Sequence, residues 1–496
     1  MTSFYTSVER FANSILWRGY DNGRRFSRKV VYNPTLFIST NQDSEYKSLI
    51  GNKNLKPREF DSMSEAREFV ERYKEVHGFE ICGNTNYVQQ FIQEKYPGMI
   101  EFDMSEINIF SFDIEVDISE KFPDMETADN QITSIAIKSS KSNTYHLLGL
   151  LDYDKTETIT GIDPDDIQYM KFDNEKLLLE RFMQIWKNDY PDIVTGWNVT
   201  YFDIYYIVTR IIRIFGEEKA KELSPWKKLK RDTRKIFNRD QSTFHISGVE
   251  VIDYMDAFKK FGYKYGPQES YKLDHIAHTV LGMNKLDYSE YGSLTELYNR
   301  NPQLFYDYNL RDTQIIQLLE EETGLISLVL TVAYGGGVNY GDAFGTVGIW
   351  ESIMYRKIID KKIVPPVKSG PGDMLGELVG GYVKDPNTGL KKWVVSFDLN
   401  SLYPMLILQY NMSPETYIPD NREYVTQDMV LNGEYENKDK SKSVCANGVC
   451  FTNERLGIIP EIIDDYYSNR KMIKNEMLKT EREIEEIKDE LNSRKS

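Results

Sequence analysis

The stretch INIFSFDIEVD, residues 107–117, places two carboxylates inside an apolar segment typical of a β-strand. Asp113 and Glu115 are two residues apart, so on a strand both side chains point to the same face of the sheet. Phe112 and Ile114 predict that the strand is buried, and buried carboxylates need a cation or hydrogen-bond donors. Hard oxygen ligands suit Mg²⁺ or Mn²⁺, so the stretch predicts a metal site. For an isolated D-x-E pattern, the alternative interpretation is an exposed polar face.

Two later segments supply further acids. In GWNVTYFDIYYI, residues 196–207, Asp203 lies among aromatic and aliphatic neighbours. In YNLRD, residues 308–312, Tyr308 and Asp312 are four residues apart and would share one face of a helix. Together with the first two carboxylates, these groups could coordinate two metal ions and orient a water for phosphodiester hydrolysis. Each segment alone is weak evidence for a metal site, whereas the three segments in this order are specific evidence.

The surrounding sequence predicts mixed secondary structure. A Tyr20-Asp21-Asn22-Gly23 turn joins two strand-like runs, and SEAREFVERYKEVHG, residues 64–78, is typical of a helix. After residue 104, the strand-like segments 131–140 and 192–197 alternate with an amphipathic helix at 172–189. This alternation predicts an α/β layered domain preceded by an α+β domain.

The later part of the chain contains a glycine cluster and a long helical segment. The cluster YGGGVNYGDAFG, residues 334–345, is followed by no G-K-[ST], so a phosphate-binding loop is not expected there. A boundary is expected near KSGPGD, residues 368–373, because of its glycines and proline. Residues 462–491 contain no Gly or Pro and predict one long helix. Its narrow apolar stripe predicts a partner helix and comprises Ile473, Met477, Thr480, Ile484, Ile487 and Leu491.

The composition of the chain excludes few classes of function. The net charge is −16, yet KKLKRDTRK, residues 227–235, is locally basic and could contact nucleic acid or form a solvated helix face. Cys82, Cys445 and Cys450 show no zinc-binding spacing, so reduced structural thiols are expected. The start of the chain lacks a signal-peptide pattern, and no apolar run is long enough to cross a bilayer. We therefore expect a soluble intracellular protein.

The ordered motifs resemble a known family. FDIE at 112–115, NVTYFD at 198–203 and Tyr308-x-x-x-Asp312 closely resemble the three exonuclease motifs of family B DNA polymerases. VGGYVKDPNTGL at 379–390 and VVSFDLNSLYP at 394–404 resemble the palm and the first polymerase motif of the same family. The resemblance covers nearly the whole chain and is greatest to the replicative polymerases of T-even-type bacteriophages.

The resemblance implies an α/β and α+β multidomain fold. An N-terminal domain would occupy residues 1–103, and an RNase H-like 3′–5′ exonuclease domain residues 104–326. The chain would return to the N-terminal domain at 327–370, form a partial palm at 371–458, and end in the first fingers helix at 459–496.

In the exonuclease domain, the resemblance assigns two Mg²⁺ or Mn²⁺ ions to four carboxylates. Asp113, Glu115, Asp203 and Asp312 would hold the metals. Tyr308 would orient the attacking water, and Lys285 in NKLDY would support the site. The segment RKIFNRDQSTFHISG, residues 234–248, would form a β-hairpin that helps to separate primer from template.

In the palm fragment, Asp398 would end an apolar strand and bind both metals of nucleotide addition. Leu399 would offer its backbone carbonyl to a metal. Tyr403 would stack under the sugar and exclude a 2′-hydroxyl. The remaining groups expected to bind the triphosphate are Ser401, Leu402, Arg470 and Lys474.

This sequence departs from the family pattern in several places. Met405 stands where the family usually has serine, and Leu378-Val379-Gly380-Gly381 replaces a Y-x-G-G element. No K-x-x-x-N-S-x-Y-G element and no D-T-D pair follows Asp398. Because one aspartate cannot hold two Mg²⁺ ions, we expect that this chain does not polymerise alone.

The favoured interpretation is the N-terminal subunit of a split replicative DNA polymerase, acting in the cytoplasm of an infected host cell. Its expected partners are primer–template DNA, dNTPs and a second chain with the second fingers helix, the rest of the palm and the thumb. Contact with a sliding clamp would occur through that second chain. The alternatives are a non-catalytic relic or regulator that binds nucleic acid or polymerase, and an engineered fragment.

Overall fold

The computed structural model describes residues 2–74, 76, 78–118, 123–236, 239–368, 383–419 and 421–495. The strands in these ranges are β1 (Ser3–Phe11), β2 (Ser14–Asp21), β3 (Arg24–Val31), β4 (Thr35–Ser39), β5 (Tyr46–Ser48), β6 (Asn54–Glu59), β7 (Ile81–Cys82), β8 (Ile109–Val116), β9 (Ile132–Ser139), β10 (Tyr145–Gly149), β11 (Ile167–Lys171), β12 (Ile193–Gly196), β13 (Leu229–Ile236), β14 (Arg239–Ile246), β15 (Glu250–Asp253), β16 (Ile363–Val364), β17 (Lys442–Val444) and β18 (Cys450–Thr452).

The α-helices in the same ranges are α1 (Met63–Tyr73), α2 (Tyr87–Lys95), α3 (Glu175–Asn188), α4 (Asp203–Phe215), α5 (Glu217–Ala220), α6 (Tyr254–Phe261), α7 (Leu273–Leu281), α8 (Leu294–Arg300), α9 (Pro302–Thr323), α10 (Leu325–Gly336), α11 (Thr346–Asp360), α12 (Leu402–Tyr410), α13 (Gln427–Leu431) and α14 (Ile458–Lys495). Among the residues that the structure describes, no helix combines the length and apolar character that crossing a bilayer requires.

The chain divides into two compact units. The first comprises Met1–Pro34, Phe60–Glu65 and Asn86–Ile353. The second comprises Thr35–Glu59, Ala66–Thr85 and Met354–Ser496. Each unit therefore contains segments from distant parts of the sequence.

The first unit is built on a six-stranded sheet with the order β11-β10-β9-β8-β12-β15. Strand β8 pairs antiparallel with β9 and parallel with β12, so it lies inside the sheet. Phe112 on β8 packs against Phe182 of α3, and Phe110 packs edge-on to Trp186. The apolar character of β8 follows from this position, because an interior strand of a covered sheet is buried. The strands predicted within 107–117, 131–140 and 192–197 are confirmed as β8, β9 and β12, and the helix predicted at 172–189 is confirmed as α3.

The N-terminal strands β1, β2 and β3 form an antiparallel meander. The turn between β2 and β3 contains Asn22 at φ 50° and Gly23 at φ 77°. Two consecutive residues with positive φ suit the right-handed twist of a two-residue hairpin. The turn predicted from Asp21-Asn22-Gly23 is confirmed.

Strands β13 and β14 form a separate antiparallel hairpin, with Leu229 opposite Ile246 and Ile236 opposite Arg239. The hairpin predicted for residues 234–248 is confirmed, and its first strand starts five residues earlier than that segment. The basic run 227–235 mostly lies on β13, so its interpretation as a solvated helix face is wrong. Alternating charged residues are compatible with a strand whose faces are both partly solvated.

The second unit contains the sheet β16-β5-β6-β4-β7 and the small hairpin β17–β18. Its long helix α14 has 38 residues, so the helix predicted at 462–491 is confirmed and extends further at both ends. The backbone N–H of Ile458 donates to Oε1 of Glu415 at 2.6 Å, and that of Gly457 donates to Oδ1 of Asn411 at 2.8 Å. These acceptors satisfy amide groups that a helix N-terminus leaves without an intrahelical partner.

The apolar stripe of α14 is exposed to solvent. The exposed fraction is 60% for Ile473, 49% for Met477, 46% for Ile484, 57% for Ile487 and 52% for Leu491. Such a stripe along a long helix is typical of a surface that pairs with another helix.

The residues before Asp398 do not form the strand that the sequence predicts. Residues 394–399 have no regular secondary structure, and Trp393 and Phe397 are 98% and 91% exposed. A strand needs a hydrogen-bonded neighbour, and in the described part of the chain none lies beside this segment. The predicted strand before Asp398 is therefore wrong for this structure. An apolar run does not show whether a neighbouring strand is present to pair with it.

The glycine cluster at 334–345 contains the C-terminus of α10, which Gly337 ends in a left-handed conformation with φ 64°. Of the boundary segment 368–373, only Lys368 lies within the described residues, and Leu378-Val379-Gly380-Gly381 lies outside them. The three cysteines are free thiols, as predicted.

Candidate metal site

Strand β8 and helix α9 bring three acidic side chains together. Carboxylate oxygens of Asp113, Glu115 and Asp312 all lie within 4.8 Å of one another. The first two extend from β8, and the third comes from α9, which packs against this sheet. Asp312 is only 5% exposed. The sequence predicted this convergence from residues almost two hundred positions apart.

Asp203 is the first residue of α4 and is 3% exposed. Its Oδ1 accepts a hydrogen bond from the backbone N–H of Ile114 at 3.0 Å. That bond places the carboxylate beside β8, between the positions of Asp113 and Glu115, although Asp203 lies outside the three-residue cluster. A helix N-terminus also favours a negative charge at this position. The structure thus brings all four predicted carboxylates to β8, inside the sheet.

An amide on α9 holds Asp113. Nδ2 of Asn309 donates to Oδ2 of Asp113 at 2.6 Å, and Oγ of Ser134 donates to Oδ1 of Asn309 at 2.7 Å. Asn309 and Ser134 are both completely buried. Sequence analysis missed both residues. The position of Asn309 beside Tyr308 was a usable signal, whereas nothing in the sequence links it to Ser134 on β9.

Lys285 connects Asp312 with Tyr308. Its Nζ lies 2.5 Å from Oδ2 of Asp312 and 4.6 Å from the centroid of the Tyr308 ring. The backbone N–H of Lys285 donates to Oδ1 of Asp274 at 2.8 Å, which fixes the loop that presents it. Tyr288 packs edge-on against Tyr308 with 5.3 Å between ring centroids. The lysine assigned by resemblance therefore contacts the site directly.

Burial and mutual repulsion keep the carboxylates from ionising together. Burial, reinforced by the charge of Asp312, raises the pKa of Asp113 to about 8. Burial raises the pKa of Asp312 to about 6, although Lys285 opposes that rise. Burial and neighbouring carboxylates also raise the pKa of Glu115 and of Asp203 well above their ordinary values. A bound cation would reverse these shifts, because it favours the ionised carboxylates.

The donor set fits a divalent cation. Oδ1 of Asp312 is buried and has no hydrogen-bond partner. Carboxylate oxygens without nitrogen or sulfur ligands are the set that Mg²⁺ and Mn²⁺ prefer. A cavity of about 580 Å³ opens beside the site and is lined by Tyr308, Asp274 and residues 284–289. The site therefore has both an oxygen atom available for a cation and space for a ligand.

The groups predicted for nucleotide addition lie in the second unit. Asp398, Leu399 and Tyr403 are exposed, the latter two to 68% and 74%. Ser401, at φ 55°, immediately precedes α12, and Leu402 is the first residue of that helix. Within the described ranges, Asp398 belongs to no cluster of three acidic, histidine or cysteine ligands.

Arg470 and Lys474 lie one helical turn apart on α14 and are both exposed. Their spacing puts both cations on one face of the helix, as predicted.

Comparisons with known proteins agree with these features. Residues 52–276 match the model of the DNA polymerase family B exonuclease domain, and residues 348–494 match that of DNA polymerase family B. The chain is 32% identical to the DNA-directed DNA polymerase of Escherichia phage RB69, over 99% of this chain and 56% of that protein. It is 29% identical to the DNA-directed DNA polymerase of Enterobacteria phage T4, over 98% of this chain and 55% of that protein.

A more distant similarity extends to a eukaryotic protein. The DNA polymerase delta catalytic subunit of Caenorhabditis elegans is 24% identical, over 61% of this chain and 28% of that protein. The chain thus spans a little over half the length of the two phage relatives.

Proposed function

Because the chain belongs to DNA polymerase family B, with an exonuclease domain and part of a polymerase domain, we propose that it removes nucleotides from the 3′ end of DNA. The observation that carries this proposal is the cluster of Asp113, Glu115 and Asp312, whose oxygens lie within 4.8 Å of one another. Asp203 on the adjacent helix supplies the fourth carboxylate. We assign this activity to residues 104–326, which include all four.

The four carboxylates would hold two Mg²⁺ or Mn²⁺ ions. When bound, such ions lower the pKa of a coordinated water and stabilise the charge that develops on the phosphate. Asn309 keeps the Asp113 carboxylate in one orientation through its hydrogen bond. The orphaned Oδ1 of Asp312 is free to accept a metal, while Oδ2 remains paired with Lys285.

Tyr308 is the group assigned to orient the attacking water. Burial, together with the charge of Asp312, raises the pKa of the Tyr308 hydroxyl, so this group stays protonated and can donate a hydrogen bond. Lys285 contacts both Tyr308 and Asp312 and holds their relative positions. Its pKa is raised, since the attraction of Asp312 outweighs the effect of burial, and the lysine therefore stays charged.

Primer–template DNA would be the substrate, and the hairpin β13–β14 would help to separate the primer strand. Lys230 and Arg231 are exposed on β13 and would favour contact with phosphates. Duplex ends would then need the hairpin for efficient degradation, whereas single strands would not.

We propose further that Asp398 belongs to a nucleotidyl-transfer site that a second chain completes. Leu399, Ser401, Leu402 and Tyr403 would contact metal or dNTP, with Tyr403 as the group that excludes a 2′-hydroxyl. The exposed residues 393–399 would add a strand to the sheet of the partner, and the stripe of α14 would pack against a returning helix. Arg470 and Lys474 would bind the phosphates. Clamp contact would occur through the partner, in the cytoplasm of an infected host cell.

We propose the domain bounds in the same terms. Residues 1–103 and 327–370 would form the N-terminal domain, 371–458 the partial palm, and 459–496 the first fingers helix. Limited proteolysis of the chain, with mass spectrometry of the fragments, checks these bounds.

The exonuclease proposal is tested with 5′-labelled single-stranded DNA and Mg²⁺ or Mn²⁺. The double variant Asp113→Ala, Glu115→Ala should lose on the order of a thousandfold in rate and remain folded, because removing two partly buried carboxylates that repel each other relieves repulsion. The matched control is Glu217→Ala, Glu218→Ala, whose side chains are 66% and 90% exposed. Undiminished cleavage by the first variant contradicts the assignment, and a parent chain that binds DNA without cleaving it favours a non-catalytic regulator.

The second-chain proposal is tested by co-expression with a polypeptide that carries the remaining length of a phage relative. We expect a 1:1 complex in size-exclusion chromatography and primer extension by that complex. Asp398→Ala should abolish extension and leave exonuclease activity intact. Separate elution of the two chains, or extension unaffected by this substitution, would exclude the proposal.

A further inference from the structure

Glu9 on β1 contacts the base of the hairpin β13–β14 with both of its carboxylate oxygens. Oε2 lies 2.9 Å from Nε2 of His245, near the end of β14. Oε1 accepts the backbone N–H of Gly248 at 2.8 Å, in the turn that follows β14. One side chain therefore holds the end of a hairpin strand and the turn that leads out of it.

The first strand of the hairpin is attached to β1 as well. Nζ of Lys228, the residue before β13, lies 3.2 Å from the centroid of the Phe11 ring. The backbone N–H of Ser247 donates to the carbonyl of Lys228 at 3.1 Å and closes the base of the hairpin. Farther along β13, Arg231 forms an ion pair with Glu126. Both strands are thus tied to β1 at their base.

On its other side, the hairpin contacts the segment that carries Asp203. Oγ1 of Thr243 donates to the carbonyl of Thr200 at 2.8 Å. Phe244 stacks on Tyr205 with 5.4 Å between ring centroids. The base of the hairpin therefore lies between β1 and a loop and helix that position one of the metal-binding carboxylates.

The contact between Glu9 and His245 favours the ionised form of both side chains. Burial opposes ionisation of Glu9, yet the hydrogen bond and charge of His245 hold its pKa below the usual value. The hydrogen bond to Glu9 in turn raises the pKa of His245. The Glu9 side chain is 19% exposed, so solvent screens the pair less than an ordinary surface ion pair.

We propose that Glu9 is a positioning residue that fixes the hairpin β13–β14 against β1 and so controls how readily a duplex end opens toward the carboxylate site. The inference rests on the proposed exonuclease function and deepens it. A hairpin that moves at its base cannot hold two DNA strands apart, whereas a single strand needs no separation. Loss of the Glu9 contacts should therefore slow the degradation of duplex ends and leave single-stranded degradation unchanged.

The test compares Glu9→Ala, Glu9→Gln and the surface control Glu217→Gln in two measurements on the full chain. Hydrogen exchange of the backbone amides of residues 229–246 should accelerate on the order of fivefold in Glu9→Ala, since an ion pair and a hydrogen bond are both lost. The ratio of duplex to single-stranded degradation rates should fall by a similar factor. Glu9→Gln should lie between parent and Glu9→Ala, because its amide oxygen still accepts the N–H of Gly248.

The variant His245→Gln, alone and combined with Glu9→Gln, completes a double-mutant cycle, and the two effects should not add. Unchanged amide exchange in Glu9→Ala overturns the positioning role. Faster exchange with an unchanged rate ratio overturns the link to strand opening. Failure of the exonuclease proposal is distinguishable, since the parent chain would then leave single-stranded DNA intact while the exchange measurement still tests Glu9.

Discussion

Two short segments of this chain have nearly the same sequence and opposite surroundings. SFDIE at 111–115 lies on β8, where Phe112 is 1% exposed and the Asp113 carboxylate lies within 4.8 Å of those of two other acids, Glu115 and Asp312. SFDLN at 396–400 has no regular structure up to Asn400, and Phe397 is 91% exposed. Local sequence is therefore not what makes the first segment a strand. The neighbours β9 and β12 supply the hydrogen bonds and the burial that the second segment lacks.

The largest expected effect separates the two aspartate sites by activity. Asp312→Asn should reduce single-stranded exonuclease activity on the order of a thousandfold, because it removes a carboxylate ligand from the proposed two-metal site. Asp398→Asn in the same chain should leave that rate unchanged. Initial rates on a 5′-labelled oligonucleotide measure both. An equal loss of exonuclease activity in the two variants would contradict the assignment of this activity to the site of Asp312 and not to that of Asp398.

The second expected effect concerns the stability of metal-free protein. The pKa of Asp113 is raised from 3.8 to about 8, so the folded state holds a proton that the unfolded state releases between about pH 4 and pH 8. Stability is greatest below that window and falls as pH rises through it. Asp113→Asn should reduce this fall by a few kcal/mol.

Urea unfolding of both proteins in EDTA, at pH 5 and pH 8, measures the change. Adding Mn²⁺ at pH 8 should stabilise the parent more than Asp113→Asn, because only the parent retains the full set of ligands. The Asp398→Asn variant is the control and should follow the parent at both pH values. A parent whose stability is flat across this window would contradict the raised pKa.

A smaller effect is expected from the residues that orient Asp113. Asn309→Ala should weaken Mn²⁺ binding by about tenfold, since outer hydrogen bonds to metal ligands typically contribute this much. Electron paramagnetic resonance of free Mn²⁺ gives the affinity without relying on activity. Ser134→Ala should have a weaker effect of the same sign, because Asn309 would keep its bond to Asp113. Unaltered affinity in Asn309→Ala would show that β8 alone orients the carboxylate.

The smallest expected effect is on α14. Ile487→Ala should change the free energy of unfolding of this chain by less than about 0.5 kcal/mol, because Ile487 is 57% exposed. Ile114→Ala in β8, where the side chain is 3% exposed, should cost about 2–4 kcal/mol. Urea unfolding measures both. With the proposed partner bound, Ile487→Ala should instead weaken the complex, and a large effect in the free chain would mean that the stripe already packs within this chain.

The sequence predicted those parts of the fold that local patterns determine. The turn at Asn22-Gly23, the helix α3 and the long helix α14 need only φ preferences, apolar periodicity or helix propensity, and all three are confirmed. Strand β8 was predicted from its own apolar residues, but it is a strand because β9 and β12 pair with it. The segment before Asp398 has the same local pattern and no strand, which shows the limit of that reasoning.

In the candidate site, too, some residues could be predicted from sequence motifs and others could not. The four carboxylates and Tyr308 were found because their order along the chain resembles known motifs, and the structure brings them together around β8. The bonds from Ser134 to Asn309 and from Asn309 to Asp113 join residues 175 and 196 positions apart. No spacing rule reaches that far, so such partners become visible only when the fold is known.

The way α14 is held at one end gives it the mechanics of a lever. The backbone N–H groups at its start donate hydrogen bonds to Glu415 and Asn411, and Lys357 pairs with Asp465 at 3.1 Å, whereas every side chain from 471 to 494 is exposed. Beyond Asp465 the helix extends about 45 Å, so a 5° rotation about that anchor moves the far end by roughly 4 Å. The same rotation moves the backbone at Arg470 by less than about 1 Å. A force on the C-terminal end of α14 would therefore act as a torque on the contacts near Asp465. Arg470 lies close to those contacts, so its position would change little.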